Sequence, residues 1–506
     1  MDAPHVRKNL LSGSIKTLIA VGLFIVVFLY LNSVFMSKFT EDTVAHPNIA
    51  ATSGTKGFYA LPHDSVDILF LGSSYVKYGV NPLIIWQNLH IGSQIFCTGE
   101  ERVHTSLFFL EEALKTQKPK YVFFEATQLL NDSPYAEGTL RRDIGDVPLS
   151  IDKINYLRNT IGTNVLDYIF PLLRYHDRWK SLTFYDFTYP LKTNYHDPYR
   201  GYSPYFYQGK FTMKDYNTAT TQVYTVSDNN RAYLQQMKDL CDKNGIELIL
   251  FKVPTVNWIK AQADAVADAA NQAGVTFVDF TLSFTDAGMN QATDFADTLH
   301  LNYSGAEKFT RDILCKFISK TLDVSKCTAI SDARQWEMDY QYYQQAIKAR
   351  RLVKTTNFLQ YLDMLVDDHY TLFFAVQDEA SRKMTGEYLT KMRALGLHKD
   401  IGGPDKYYRW AYIAITDGNK PVYEAHKKAW LEYRSTYGGN YIYLQSAGFE
   451  DGNSIAMTIN GHEYATNATN FGTTGLHIVV YDNVLGKVID NICYQTYDMK
   501  LTHGPI

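Results

Sequence analysis

Cysteine is scarce and carries no pattern. The chain has 506 residues and 5 cysteines, Cys97, Cys241, Cys315, Cys327 and Cys493, with no C-x-x-C and no paired spacing. A disulfide scaffold or a cysteine-ligated zinc site is therefore not expected; at most one pair, such as Cys315 with Cys327, is left open. Positive charge is not in excess either. The formal net charge is -4, so there is no electrostatic footprint for a nucleic-acid partner. The composition is not that of a disordered chain, at 46% hydrophobic and 20% charged. Beyond the N-terminal segment, no run is long and apolar enough to cross a bilayer. No motif calls for a metal or a cofactor.

What the chain does have begins with length. A chain of this size exceeds one ordinary domain, and two globular units with connectors are expected. Tyrosine is abundant, at 38 residues. These rings either fill the core and decorate the surface or form platforms for sugars.

Thr17 to Ser37, "TLIAVGLFIVVFLYLNSVFMS", is free of charge. A bilayer core needs about 20 helical residues, whereas a cleaved signal peptide has an apolar region of only about 7–15 residues and a small-residue cleavage site. The length and the ending "NSVFMSKF" predict an uncleaved anchor over residues 14–37. Arg7, Lys8 and Lys16 precede it, while Lys38 follows beside Glu41 and Asp42. That asymmetry predicts a cytoplasmic tail at 1–13 and everything beyond the anchor outside the cell. Residues 38–63 are small and polar, and read as a stalk.

From residue 64 strands alternate with helices. "VDILFLG", "SQIFCTG", "PKYVFFEA", "IELILFKVP" and "VTFVDF" are strands, separated by helical segments such as "NPLIIWQNL" and "HTSLFFLEEALKTQ". Near-continuous apolar strands in such alternation predict an α/β domain, a parallel sheet covered on both faces, over 64–325. A Tyr-, Phe-, Trp-, Arg- and His-rich insertion at about 131–226 breaks the rhythm and is expected to wall one end of the sheet. A connecting helix is expected within 326–358, and a mixed β/α unit over 359–506.

The first strand stops at Gly72-Ser73-Ser74. In an open parallel sheet, ligands sit beyond the carboxyl ends of the strands. A serine there can present its hydroxyl, but it needs a base oriented by a third group. "DFADTLHLNYSGAEKF" supplies Asp297 and His300, three apart, with Asp294 as a competing carboxylate. Each motif alone is more simply a turn or helix cap. Together, at the first strand and the last loop of one unit, they point to a serine hydrolase site.

"FLGSSYVKYGVNP" and "DTLHLNYSGAEKF" resemble the first and last sequence blocks of the SGNH (GDSL-type) hydrolases. They are most similar to the membrane-anchored members that O-acylate bacterial cell-envelope polymers. The resemblance covers about residues 64–322 and implies a three-layer domain with a triad of Ser74, Asp297 and His300. Ser73 stands where the family has aspartate. It further implies an oxyanion hole from the amides of Ser74 and Gly99, the latter in "FCTGEE". The family's third block, G-x-N, is not recognisable; "FFEATQ" stands there, and an ionised Glu125 cannot donate as an asparagine does. "RYHDRW" resembles a segment of the same group, so Arg174, His176, Arg178 and Trp179 can hold a carboxylate or stack on a sugar, or instead pair with nearby acids.

The last third resembles an interleukin-like EMT inducer domain in circularly permuted order. "SIAMTINGHEY" with "GLHIVVYDNVLGKVID" matches one half, and "YTLFFAVQDEASRKMTGEYLTKMRALGL" with "RWAYIAITDG" the other. It implies a binding or docking module. The resemblances leave two functions open. One is an esterase or acyltransferase on a surface polysaccharide or glycopolymer, served by a multipass membrane O-acyltransferase. The other is a degenerate fold that binds glycan or scaffolds an envelope complex.

Overall fold

The computed structural model describes residues 4–36, 53–162, 164–191, 196–284, 287–328, 332–467 and 474–506. The chain forms two compact units, one running to Trp336 and the other from Glu337 to the end.

The first unit is built on five parallel strands: β1 (Ile68–Leu71), β2 (Ser93–Ile95), β3 (Tyr121–Glu125), β4 (Glu247–Lys252) and β5 (Thr276–Asp279). Their order is β2-β1-β3-β4-β5. Alternate residues of each strand face opposite sides, and both sides are apolar. Leu69, Leu71, Val122, Phe124, Leu248 and Leu250 pack against the helices Val103–Ala113, Asp228–Lys243 and Lys260–Ala273. On the other face Phe70, Phe123 and Phe251 form a largely edge-to-face aromatic cluster that continues to Phe280, Phe309 and Phe317. Two covered faces explain the unbroken apolar strands. The strand order reverses at β1, so the crevice for a ligand opens beyond the carboxyl ends of β1 and β3.

The helix Pro82–Leu89 starts where proline and an asparagine cap require: Asn81 Oδ1 accepts from the Leu83 amide at 3.0 Å. The chain's one long apolar helix among the described residues runs Pro4–Phe35. Its segment Ile15–Phe35 is a candidate membrane span of 21 residues.

The segment read as a stalk is in part something else. Residues 37–52 lie outside the described residues, but Ser53–Tyr59 is a helix packed into the first unit. Phe58 stacks on Phe96 with ring centroids 3.9 Å apart, and Tyr59 donates to Glu112 at 3.2 Å. Two aromatic rings in a polar stretch were enough to dock it.

The insertion does two jobs rather than one. Residues 199–216 form an extended strap across the carboxyl edge of the sheet. Ile95 donates to Arg200 O, Ser203 to Lys77 O, Tyr303 to Tyr205 O and Gly209 to Phe295 O. Gly201, at φ +84°, lets the strap approach β2, since a Cβ there would lie 2.2 Å from Ile95 O. The short helices Val165–Ile169, Pro171–Tyr175 and Phe184–Thr188 pack instead around the C-terminal end of the apolar helix. The first unit ends with Trp336, stacked on Trp86 at 6.1 Å and under the Arg200 guanidinium at 4.2 Å.

The second unit is a curled, mixed sheet of ten strands, β6 (Tyr370–Asp378), β7 (Ala411–Asp417), β8 (Lys420–Lys427), β9 (Leu431–Tyr437), β10 (Asn440–Gly448), β11 (Ile455–Ile459), β12 (His462–Thr466), β13 (Gly475–Asp482), β14 (Lys487–Gln495) and β15 (Lys500–His503). β6, buried along its whole length, is its centre and pairs with β7, β10 and β13. All five cysteines are free thiols, so Cys315 and Cys327 are not joined.

Candidate active site

The strand β1 ends because Gly72 must be glycine. Its φ is +145°, and a Cβ would lie 2.9 Å from both the Glu125 Cβ and the Val76 side chain. The chain turns there between β3 and the helix Ser74–Gly79, and Ser74 becomes the first residue of that helix. A first-turn amide has no intrahelical acceptor, so the Ser74 N–H is available to a ligand oxygen.

The second half of the site hangs on a narrow hairpin. Phe295 and Leu301 pair as an antiparallel bridge, and Ala296 donates to His300 O at 3.0 Å. Asp297 caps the turn between them, accepting from the amides of Leu299 at 2.7 Å and His300 at 2.9 Å. The same carboxylate lies 2.8 Å from His300 Nδ1, and His300 Nε2 lies 2.8 Å from Ser74 Oγ. A carboxylate can only accept, so Nδ1 carries the proton and Nε2 is the acceptor facing the serine hydroxyl. Burial alone would raise the Asp297 carboxyl, but the His300 and backbone hydrogen bonds outweigh it and hold the group below the ordinary carboxylate range.

The rival carboxylate has another task. Asp294 is buried and accepts from the Asn290 amide at 2.7 Å, Ser304 Oγ at 2.9 Å and Lys308 Nζ at 2.8 Å. It ties the hairpin to the helix Tyr303–Lys308 and has no bond to His300.

Ser73 points away from the imidazole. It is fully buried, and its Oγ accepts from Gln128 Nε2 at 3.4 Å. Gly99 lies four residues past β2 in a loop held from both sides. Glu101 accepts from the Thr98 amide at 2.8 Å and from Ser106 Oγ at 2.5 Å, while Arg142 donates to Gly99 O. Burial, with the Asp143 carboxylate nearby, pushes the Glu101 carboxyl well above its usual range.

At the carboxyl ends of β3 and β4 the chain has an ion pair. Glu125 at the end of β3 meets Lys252 at the end of β4, Oε1 to Nζ at 3.0 Å, with both side chains 0% exposed. Burial lowers the Lys252 ammonium against the raising pull of Glu125. The ammonium also sits 4.5 Å from the Tyr75 ring centre, and that ring is 5.6 Å from the His300 ring. Tyr78 and Tyr205 complete an aromatic surround, their centroids 5.2 and 6.2 Å from the imidazole. Lys252, Gln128, Arg142 and Tyr205 were not singled out from sequence. Only the lysine left a trace there, a charge ending the apolar run "IELILFK".

Removing one partner of a buried pair leaves the other uncompensated. Lys252→Met is expected to lower unfolding free energy by about 3–5 kcal/mol, and adding Glu125→Gln to restore much of it. Denaturant unfolding of the full chain in detergent checks this; a single variant as stable as the parent would mean the pair contributes nothing.

The "RYHDRW" side chains lie elsewhere. Arg178 donates to the carbonyls of Phe35 at 2.9 Å and Met36 at 2.5 Å, and pairs with Asp186 at 2.7 Å, so it caps the C-terminal end of the apolar helix. Arg174 is 3.5 Å from Glu137, and His176 is 3.7 Å from Asp177. Trp179 is exposed, with Lys180 5.6 Å from its ring centre. The structure does not bring these four to Ser74.

No protein-family model and no curated protein matches the chain. Among solved structures it is similar to a Bacteroides fragilis protein assigned as an acylhydrolase, at 14% identity, over 53% of this chain and 94% of the other, with a TM-score of 0.25.

Proposed function

We propose that the chain is a membrane-anchored serine acyltransferase or esterase that adds or removes O-acyl groups on a surface polysaccharide. The observation that carries this is the unbroken relay of 2.8 Å contacts from Asp297 through His300 to Ser74. His300 Nε2 takes the Ser74 proton as Oγ attacks the acyl carbonyl. The tetrahedral oxyanion faces the amides of Ser74 and Gly99, each such donor contributing about 2.7–4 kcal/mol to the transition state. Collapse expels the alcohol, protonated by His300, and leaves an acyl-enzyme. Water or a sugar hydroxyl then takes the acyl group by the reverse sequence, with His300 as base. The tyrosines around His300 suit a sugar acceptor, since their faces can pack on a pyranose ring. The acyl donor is brought by a multipass membrane O-acyltransferase, and the second unit serves as the glycan-binding or docking module.

A fluorophosphonate probe tests the catalytic reading. Labelling of the full chain on Ser74, found by peptide mass spectrometry, is expected; a folded protein that stays unlabelled would favour a non-catalytic scaffold. Topology has its own check. With an N-terminus inside and the body outside, protease added to wall-stripped cells should digest everything beyond the anchor, and a protected body would contradict it.

A further inference from the structure

The insertion carries a set of large apolar side chains left uncovered among the described residues. Leu166, Leu173, Trp179, Phe184, Phe187 and Leu191 are all exposed, Trp179 at 64% and Phe184 at 83%. They sit on the short helices bound to the last two turns of the apolar helix. Phe170 packs on Phe28 at 5.3 Å, Tyr30 donates to Phe187 O at 2.8 Å, Asn32 to Ile169 O at 3.1 Å, and Arg178 caps Phe35 and Met36.

Those attachment points fix a depth. The 21 residues Ile15–Phe35 extend roughly 31 Å as a helix, about the thickness of a bilayer core. Lys16 marks one end of the charge-free helix and the helix stops at Phe35, which puts those ends at the two interfaces. Phe28 to Phe35 is therefore about the last 10 Å on the body side. Elements hydrogen-bonded to Tyr30 and Asn32 lie at the boundary between acyl chains and headgroups of that leaflet. The composition fits this depth: Trp179 and the phenylalanines are interspersed with exposed Arg174, His176, Asp177 and Lys180, as in an amphipathic interfacial segment.

We propose that residues 165–191 form a collar that inserts its apolar side chains into the leaflet around the membrane helix, so that the occupant of this surface is the lipid bilayer itself. This rests on Ile15–Phe35 being a membrane span. The collar holds the first unit against the membrane instead of letting it swing from a tether. The strap at 199–216, which belongs to the same insertion, borders the Ser74 crevice, so the collar ties the position of that crevice to the lipid surface.

The test uses the full chain in phosphatidylcholine nanodiscs, with and without bromine on the acyl chains. Brominated lipid is expected to quench tryptophan emission. Trp179→Phe should remove most of that quenching, whereas Trp430→Phe, an exposed tryptophan of the second unit, should keep it. Phe184→Trp in the Trp179→Phe background should restore it. A protein that stays in the nanodiscs but loses no quenching with Trp179→Phe and gains none with Phe184→Trp overturns the collar and leaves the anchor standing. A protein that leaves the nanodiscs in the absence of detergent overturns the anchor and the collar together.

Discussion

Ser74→Ala is expected to lower turnover of a small acyl ester such as nitrophenyl acetate by about 10⁵- to 10⁶-fold, while Ser73→Ala keeps most of it. The two serines are adjacent and chemically identical, so the difference lies in where each hydroxyl is held. Ser74 Oγ has the one imidazole nitrogen that can take its proton, at 2.8 Å. Ser73 Oγ is buried and meets a side-chain amide that can only donate to it. Removing the Ser73 hydroxyl strips Gln128 of one long contact, yet its Oε1 still accepts from Asn131 at 3.0 Å. That is a loss of about 1 kcal/mol in stability and none in the reacting groups. Initial rates of purified variants, with circular dichroism to verify folding, decide it. If Ser73→Ala is the dead variant and Ser74→Ala turns over, the nucleophile is misassigned.

The three residues of the candidate site could be picked out in the sequence because each half is local. Gly72-Ser73-Ser74 ends a strand whose apolar run is visible, and Asp297 and His300 lie on one turn. Only their meeting, 226 residues apart, needed the fold. The parallel sheet was legible for the same reason: burial on both faces writes itself as continuous apolar runs. What stayed hidden depends on distant partners. Arg178 looks like a substrate ligand until the carbonyls of Phe35 and Met36 appear above it. Lys252 has no meaning in "LILFKVP" until Glu125 comes alongside from the neighbouring strand. The strand β8 escaped notice because it is half exposed along "KPVYEAHK" with no clean alternation, and β9 because the alternation of "LEYRSTY" is short and its inward residues are only partly buried. The helix at Ser53–Tyr59 was hidden by small and polar neighbours, with only Phe58 and Tyr59 carrying the docking signal.

Asp297→Asn is expected to cost about 10⁴-fold in kcat at neutral pH with the fold intact. An asparagine oxygen can still accept from the Leu299 and His300 amides, which would preserve the turn. Its NH₂ group would then face His300 Nδ1, and a donor there requires that nitrogen to be the acceptor. The imidazole proton moves to Nε2, which now points a hydrogen at Ser74 and cannot take one. Catalysis must then rely on solvent hydroxide, so the deficit should shrink as pH rises, a readout that a purely structural defect would not produce. In the parent, Asp297 stays ionised through the neutral range because its carboxyl is held below the ordinary value. The sign for stability follows. A depressed carboxylate contributes fully above the unfolded value of about 3.9, and the contribution is lost only as pH falls through the lower folded value. The contrasting variant is Asp294→Asn. It weakens the clamp on Lys308 and Ser304, and should appear as a lower unfolding midpoint with a nearly normal kcat in the folded fraction. Measuring kcat against pH for both variants separates the roles. If Asp294→Asn shows the larger, pH-dependent loss, or Asp297→Asn stays within about tenfold of the parent, then Asp297 does not orient the base and the relay from Asp297 to Ser74 does not operate.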